Sequence, residues 1–93
     1  MMYAIINIRN GMALFQNFET LELSIIDRWH SPDDYMMFIA NDLNEAKHLL
    51  NFTRSTWIDV DPDGWVIVDM NGDVVDENIK EQQEEWAGEP VST

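Results

Sequence analysis

The chain has 93 residues and no cysteine, so it can form one small domain without disulfides. Five Lys and Arg residues against eighteen Asp and Glu residues give a net charge of −13, which excludes an ordinary nucleic-acid-binding module and a protein held to anionic lipid by basic patches. No apolar run approaches a membrane span of roughly 20 residues. The hydrophobic content of 45% predicts a folded domain over residues 1–89, with 90–93 as a loose end.

The N-terminal third of the chain predicts a β-hairpin and then a helix. Asn10-Gly11 lies between the apolar segments 2–8 and 12–18. This dipeptide is typical of a two-residue hairpin turn, because both of its residues tolerate a positive φ. Thr20 is the predicted N-cap of a helix over residues 21–30, since apolar residues recur there at intervals of four.

The middle of the chain has two further helix signals. Ser31-Pro32 is followed by two acids, as in the first turn of many helices, and the apolar segment 35–40 after it suits either a helix or a buried strand. Asp42 and Glu45 resemble a capping box and predict a helix that ends at Leu50. We therefore expect two or three short helices before residue 55.

Turn residues divide the segment 55–76 into three short apolar runs. The separators are Pro62-Asp63-Gly64, which suits a turn with Gly64 in the left-handed region, and Asn71-Gly72, which suits a two-residue turn. The segment predicts a three-stranded antiparallel meander with strands at 56–61, 65–70 and 73–76. An acidic helical tail over 77–87 follows. The predicted fold class is α+β, with the hairpin, the short helices, the meander and the tail in that order.

The predicted meander decides which carboxylates share a face. In the expected register Val68 lies opposite Val75, so alternate residues point to opposite faces of the sheet. The predicted core face collects Ile58, Val60, Val66, Val68, Met70 and Val75. The predicted open face collects Trp57, Asp59, Asp61, Trp65, Ile67, Asp69, Val74 and Asp76. Its neighbouring acids are spaced by about 7–8 Å on the diagonal, and residues 55–93 hold eleven acids and one base, a net of −10.

Motifs for catalysis or metal binding are weak. Asp59-x-Asp61-x-Asp63-Gly64 matches the first half of a calcium-binding loop, but the position of the bidentate Glu is occupied by Met70. The two His residues have no zinc-ligand spacing, and no Ser has the surroundings of a nucleophile. We therefore predict a protein that is not an enzyme, with no cofactor and no metal.

Three functions fit a folded, strongly acidic module. The first is an inhibitor whose carboxylates imitate DNA phosphates, which are spaced by about 1.7 Å along the duplex axis. The second is an immunity or antitoxin-type protein that neutralises one basic nuclease or toxin. The third is an acidic adaptor without mimicry. We favour the first function, because charge of this size imposes self-repulsion that solubility alone does not require.

The short chain, the lack of Cys, the pI near 4.1 and the dispersed acids resemble the small acidic DNA-mimic inhibitors encoded by phages. That group includes the anti-restriction nuclease proteins of T-even phages. The resemblance covers the composition of the whole chain. It implies a phage protein in the cytoplasm of a host cell that evades host defence by blocking a restriction nuclease, a CRISPR effector or a nucleoid protein, and that can form a homodimer.

We therefore predict that the protein binds a basic nucleic-acid-binding protein or nuclease, and binds neither nucleic acid nor a membrane. The primary partner-binding residues are predicted to be Asp59, Asp61, Asp69 and Asp76. The predicted tail extends this array with Glu77, Glu81, Glu84 and Glu85. Asp33 and Asp34 form a predicted second patch.

Overall fold

The computed structural model describes residues 1–76, in which seven strands form one antiparallel sheet and one helix packs on it. The strands are β1 (Tyr3–Asn7), β2 (Met12–Asn17), β3 (Leu23–Asp27), β4 (Tyr35–Met37), β5 (Ile39–Ala40), β6 (Trp65–Asp69) and β7 (Val74–Val75). The helix, α1, spans Leu43–Thr56, and a 3₁₀ turn at Pro62–Gly64 leads into β6. The strand order is β3-β2-β1-β6-β7, with β4 paired to β2 and β5 paired to β1.

The short strands β4 and β5 fill a gap inside the N-terminal hairpin. β1 and β2 pair directly at Ile6 and Ala13, next to their connecting turn. Farther from that turn β2 pairs with β4 and β1 pairs with β5, both antiparallel. The chain therefore runs back along β2, reverses at Phe38 and continues along β1, so the backbone groups of the diverging strands find partners.

Both faces of the sheet carry apolar side chains. Helix α1 covers one face, where the buried cluster consists of Tyr3, Ile5, Leu14, Ala40, Leu43, Ala46, Leu50, Trp65 and Ile67. A second cluster lies on the other face and consists of Ala4, Ile6, Ala13, Phe15 and Val68. Alternation along β1 and β6 supplies both clusters, as expected for central strands whose two faces are apolar.

The turns after β1 and β2 have the same construction. In each, a buried Asn accepts hydrogen bonds at its side-chain oxygen from the backbone N–H groups two and three residues later: Arg9 and Asn10 for Asn7, Glu19 and Thr20 for Asn17. The fifth residue of each turn has a positive φ, 78° at Gly11 and 64° at Leu21. Its N–H donates to the carbonyl of the Asn at 3.0 Å in both turns. The side chain of Asn therefore closes each turn.

Leu21 occupies a backbone conformation that favours glycine, with its side chain 64% exposed. We expect Leu21→Gly to raise the free energy of unfolding by about 0.5–1 kcal/mol, because the left-handed strain is removed and little packing is lost. Chemical denaturation followed by circular dichroism measures the change. Thr20→Gly, in the same turn but outside the left-handed region, should instead lower stability. Equal destabilisation by the two changes would contradict this prediction.

The predicted set of short helices is wrong. Residues 21–30 contain strand β3 rather than a helix, and the segment after Ser31-Pro32 forms a turn followed by β4 and β5. The apolar spacing at 21–30 was helical, but Ile25 and Ile26 are β-branched and pair along β2. Pairing with a neighbouring strand outweighs local helical periodicity here.

The predicted start of helix α1 agrees with the structure, while its predicted end is too early. Asp42 is the N-cap of α1, with its carboxylate accepting from the Glu45 N–H at 2.8 Å, and Glu45 in turn accepts from the Asn41 N–H. The helix continues past Leu50 to Thr56. Its last two turns bury Thr53, whose hydroxyl donates to the Leu49 carbonyl at 2.7 Å.

The predicted three-stranded meander is also wrong. Residues 56–61 end the helix and form a loop, so only β6 and β7 form strands. Their register places Val68 opposite Val74, one residue away from the prediction. The cause is the turn after β6, in which the Asp69 carboxylate accepts from the N–H groups of Asn71 and Asp73 and replaces the predicted two-residue turn by a longer one.

Both faces of β6 carry apolar residues of the core, where the sequence predicted one core face and one open face. Trp65 and Ile67, predicted on the open face with the acids, lie under helix α1 and are fully buried. Val68 is buried, as predicted, and Val66 is half-buried, but both belong to the cluster on the face away from α1. The predicted tail helix and the loose end at 90–93 lie outside the described residues.

Candidate functional site

The predicted acids of segment 55–76 do not form one array. Strand β6 begins immediately after the 3₁₀ turn and ends at Asp69, so Asp59 and Asp61 lie at one end of the sheet and Asp69 at the other. Five residues of extended strand separate those ends by roughly 15 Å. Asp76 follows the edge strand β7. The remaining predicted residues of the array, Glu77, Glu81, Glu84 and Glu85, lie outside the described residues.

Several predicted acids make contacts that stabilise local structure. Asp61 has a φ of 37°, and its carbonyl accepts from the Asn7 side-chain amide at 3.0 Å. Asp69 closes the β6–β7 turn through its carboxylate. Asp34 accepts from the Asn17 amide at 3.2 Å, and its own carbonyl accepts from the Phe18 N–H. These side chains are therefore partly engaged within the fold.

A different grouping of acids follows from the strand directions. β1 begins, β2 and β6 end, and α1 begins at the same end of the sheet, as the pairing of Tyr3 with Asp69 and Ala40 shows. We call this the acid-rich end. Its eight acids are Glu19, Glu22, Asp33, Asp34, Asp42, Glu45, Asp69 and Asp73.

Three of the four Lys and Arg residues within residues 1–76 lie at the opposite end. Arg9 lies in the turn after β1, Arg28 follows β3, and Arg54 in the last turn of α1 donates to the Trp65 carbonyl at 2.9 Å. The acids at that end are Asp27, Asp59, Asp61 and Asp63. Lys47 is the Lys or Arg nearest to the acid-rich end within residues 1–76, in the second turn of the helix. The described part of the chain thus has a strongly acidic end and an end with mixed charges.

Four carboxylates at the acid-rich end make no hydrogen bond within residues 1–76 and are exposed: Glu19, Glu22, Asp33 and Asp73. The sequence prediction included Asp33 and omitted the other three. They lie in turns that only the observed pairing brings together. The signal that could have placed Glu19 is the Asn17 turn, because it repeats the pattern of an Asn followed by one apolar and two polar residues that occurs at Asn7.

At the mixed-charge end, the pKa of Asp27 is shifted by its neighbours. Its carboxylate accepts from the Trp29 N–H at 2.9 Å and lies 3.4 Å from the His30 ring. The backbone hydrogen bond, with a smaller effect of His30, lowers the pKa of Asp27. A lowered pKa favours the folded state above the pKa of the unfolded carboxyl, and this contribution is lost as the pH falls.

The described residues show no other type of site. Within residues 1–76 no three His, Asp or Glu side chains are grouped as metal ligands, and no pocket is present. Within residues 1–76 no helix is both long enough and apolar enough to cross a membrane. The acid-rich end is therefore the candidate functional surface that the described residues offer.

Comparisons with known proteins give no further guidance. No protein-family model matches the chain, and neither the search of curated proteins nor the search of solved structures found a match.

Proposed function

We propose that the protein is a non-enzymatic inhibitor that uses carboxylates in place of DNA phosphates to bind a basic nucleic-acid-binding protein or nuclease. The observation that carries this proposal is the separation of charge: eight acids at one end of the sheet, and Arg9, Arg28 and Arg54 at the other. A rigid surface of one charge sign raises association rates with an oppositely charged partner.

The acid-rich end suits this role because its free carboxylates are held on turns that the fold closes firmly. Glu19 lies in the turn that Asn17 stabilises, and Asp73 lies in the turn that Asp69 stabilises. Side chains presented from fixed backbone lose less entropy when they bind, so more of the interaction energy appears as affinity. In this proposal Glu19, Asp33 and Asp73 are the principal phosphate substitutes, with Asp34 beside them.

The proposal also covers where the protein acts, what it blocks and its oligomeric state. The protein would act in the cytoplasm, in a host cell if a phage encodes it, and would block a restriction nuclease or another defence protein. It would bind no nucleic acid itself. It would also form a homodimer, because a domain of this size buries little surface on its own.

A competition experiment tests the proposal. DNA-binding proteins recovered with the immobilised chain from a bacterial lysate are purified, bound to a fluorescent duplex and titrated with the chain. We expect the chain to displace the duplex, and we expect its own binding to the recovered protein, measured without DNA, to weaken as the salt concentration rises. Failure to displace the duplex from every recovered protein would refute DNA mimicry. Displacement confined to one cognate nuclease would favour an immunity-type protein.

Two matched triple variants locate the surface. Glu19→Gln with Asp33→Asn and Asp73→Asn removes three charges from the acid-rich end, and Asp59→Asn with Asp61→Asn and Asp63→Asn removes three from the other end. We expect the first variant to weaken competition at least tenfold, and the second to change it by less than about threefold, since each lost charge contact costs roughly 0.5–1 kcal/mol. If the second variant weakens competition more than the first, the binding surface lies at the mixed-charge end. If both variants weaken it equally, net charge alone determines binding.

A further inference from the structure

Strand β3 forms an open edge of the sheet. Within residues 1–76 it pairs with β2 on one side and with no strand on the other. Its sequence, Leu23–Asp27, contains no Pro and no Lys, residues that commonly protect an edge from pairing, and its one charged residue, Asp27, is the last of the strand. Its residues are all half-buried. The edge is therefore a five-residue strand that carries Leu23, Ile25 and Ile26 and pairs with no strand on its outer side within residues 1–76.

Two backbone hydrogen bonds show which groups of β3 face outward. The Asn17 N–H donates to the Glu22 carbonyl at 3.0 Å, and the Arg28 N–H donates to the Gly11 carbonyl at 3.2 Å. Residues 22, 24, 26 and 28 are thus turned toward β2, because hydrogen-bonded residues alternate along an antiparallel pair. The N–H and C=O groups of Leu23 and Ile25 consequently point away from the sheet.

The opposite edge of the sheet is less suited to pairing. Strand β7 has two residues, Val74 and Val75, and acids stand on both sides of it at Asp73 and Asp76. Short edge strands and flanking charges discourage the addition of another strand. Strand β3, with five residues, is the longer of the two edges.

We propose that β3 pairs antiparallel with β3 of a second copy of this chain, with Ile25 opposite Ile25 of the partner subunit. This arrangement makes the two Ile25 residues a hydrogen-bonded pair, which agrees with the outward direction of their backbone groups. A twofold axis perpendicular to the sheet then joins the two sheets into one. Both helices lie on the same face of the joined sheet.

Of the registers that the outward-facing backbone groups allow, this one places oppositely charged side chains of the two subunits next to each other. With Ile25 at the centre, Glu22 lies opposite Arg28 of the partner subunit, and the contact occurs twice by symmetry. Both side chains project to the face away from α1, since even-numbered residues of β3 do so. The Nε–H of Arg28 is buried and has no acceptor within residues 1–76. Because that Nε is closed to solvent, the Glu22 carboxylate of the partner subunit pairs with the Arg28 guanidinium as an opposite charge and does not replace the missing acceptor.

The same pairing reduces repulsion between two acidic chains. In an antiparallel dimer the acid-rich end of one copy lies beside the mixed-charge end of the other. Glu22 then lies beside the end of the partner's β3 that holds Arg28. A parallel side-by-side arrangement would place the two acid-rich ends together, which costs free energy between like charges.

A charge exchange tests the register. The first variant is Glu22→Arg and the second is Arg28→Glu. In the homodimer of either variant, positions 22 and 28 carry the same charge, so both contacts between the subunits become repulsive. In an equimolar mixture of the two variants, the heterodimer has opposite charges at both contacts. Sedimentation velocity and native mass spectrometry should show a wild-type dimer of twice the 10.9 kDa chain. Each single variant should dissociate about tenfold more readily, and the heterodimer should recover to within about threefold of wild type.

The controls are Asp33→Arg and Arg9→Glu, which make the same charge changes away from β3, with circular dichroism to confirm folding. The proposal is overturned if the wild-type chain is a monomer, or if the single variants dimerise as tightly as the wild type. It is also overturned if the control variants dissociate as readily as the single variants, or if the mixture forms no heterodimer. The inference rests on the homodimer part of the proposed function. Because the assay contains no DNA, its failure would leave the competition result standing.

Discussion

Replacing Trp65 by Ala should lower the free energy of unfolding by about 4 kcal/mol, a large part of the stability of a small domain. The Trp65 side chain is 0% exposed beneath helix α1, and its indole N–H donates to the Val60 carbonyl at 3.1 Å. The substitution removes a large apolar volume and leaves that carbonyl without its donor. Urea denaturation followed by circular dichroism measures the loss.

Trp29→Ala is the matched control for this change. Trp29 is 72% exposed, and its ring contacts the Arg28 guanidinium at 4.9 Å. Losing that exposed contact should cost less than about 1 kcal/mol. If both changes have the same small effect, Trp65 is not in the core, and the open face predicted from the sequence would be favoured over the observed packing.

Replacing Asn7 by Ala should lower the free energy of unfolding by about 3 kcal/mol and the melting temperature by roughly 15 °C. The Asn7 side chain is fully buried, accepts from the N–H groups of Arg9 and Asn10, and donates to the Asp61 carbonyl. One amide therefore joins the first turn to the loop before β6. Its loss leaves several polar backbone groups without partners.

Asn71→Ala serves as the control, because the Asn71 side chain is exposed and makes no hydrogen bond within residues 1–76. We expect its melting temperature to stay within a few degrees of the wild type. Thermal denaturation of both variants, followed by circular dichroism, measures the two melting temperatures. Comparable melting temperatures for the two variants would show that Asn7 does not connect the turn and the loop as the structure places it.

Local signals in the sequence predicted local features. Asn10-Gly11 predicted the position of the first hairpin, although the predicted two-residue turn is wrong: the turn spans residues 8–11, Asn7 closes it, and only Gly11 has a positive φ. Asp42 with Glu45 predicted the start of α1, since the deciding hydrogen bond joins residues close in sequence. Residues 21–30 gave a wrong prediction because the helical spacing of their apolar residues was outweighed by pairing with β2.

The position of the acids depends on contacts that no short pattern shows. The register of β6 and β7 depends on the Asp69 side chain in the turn, and a change of one residue exchanges the faces of β7. Burial of Trp65 depends on α1 continuing beyond Leu50 to cover it. The acid-rich end arises from strand directions, so the charge total was predictable while its location was not.

The central place of β1 affects the order in which the chain can complete its sheet during synthesis. β1 is made first, yet one of its partners is β6, and Tyr3 pairs with Asp69 across 66 residues of sequence. A nascent chain can close the local hairpins early, but one edge of β1 stays open until residue 69 has left the ribosome. Chains truncated before β6 therefore expose to aggregation one edge of a strand whose five residues are all buried in the folded protein.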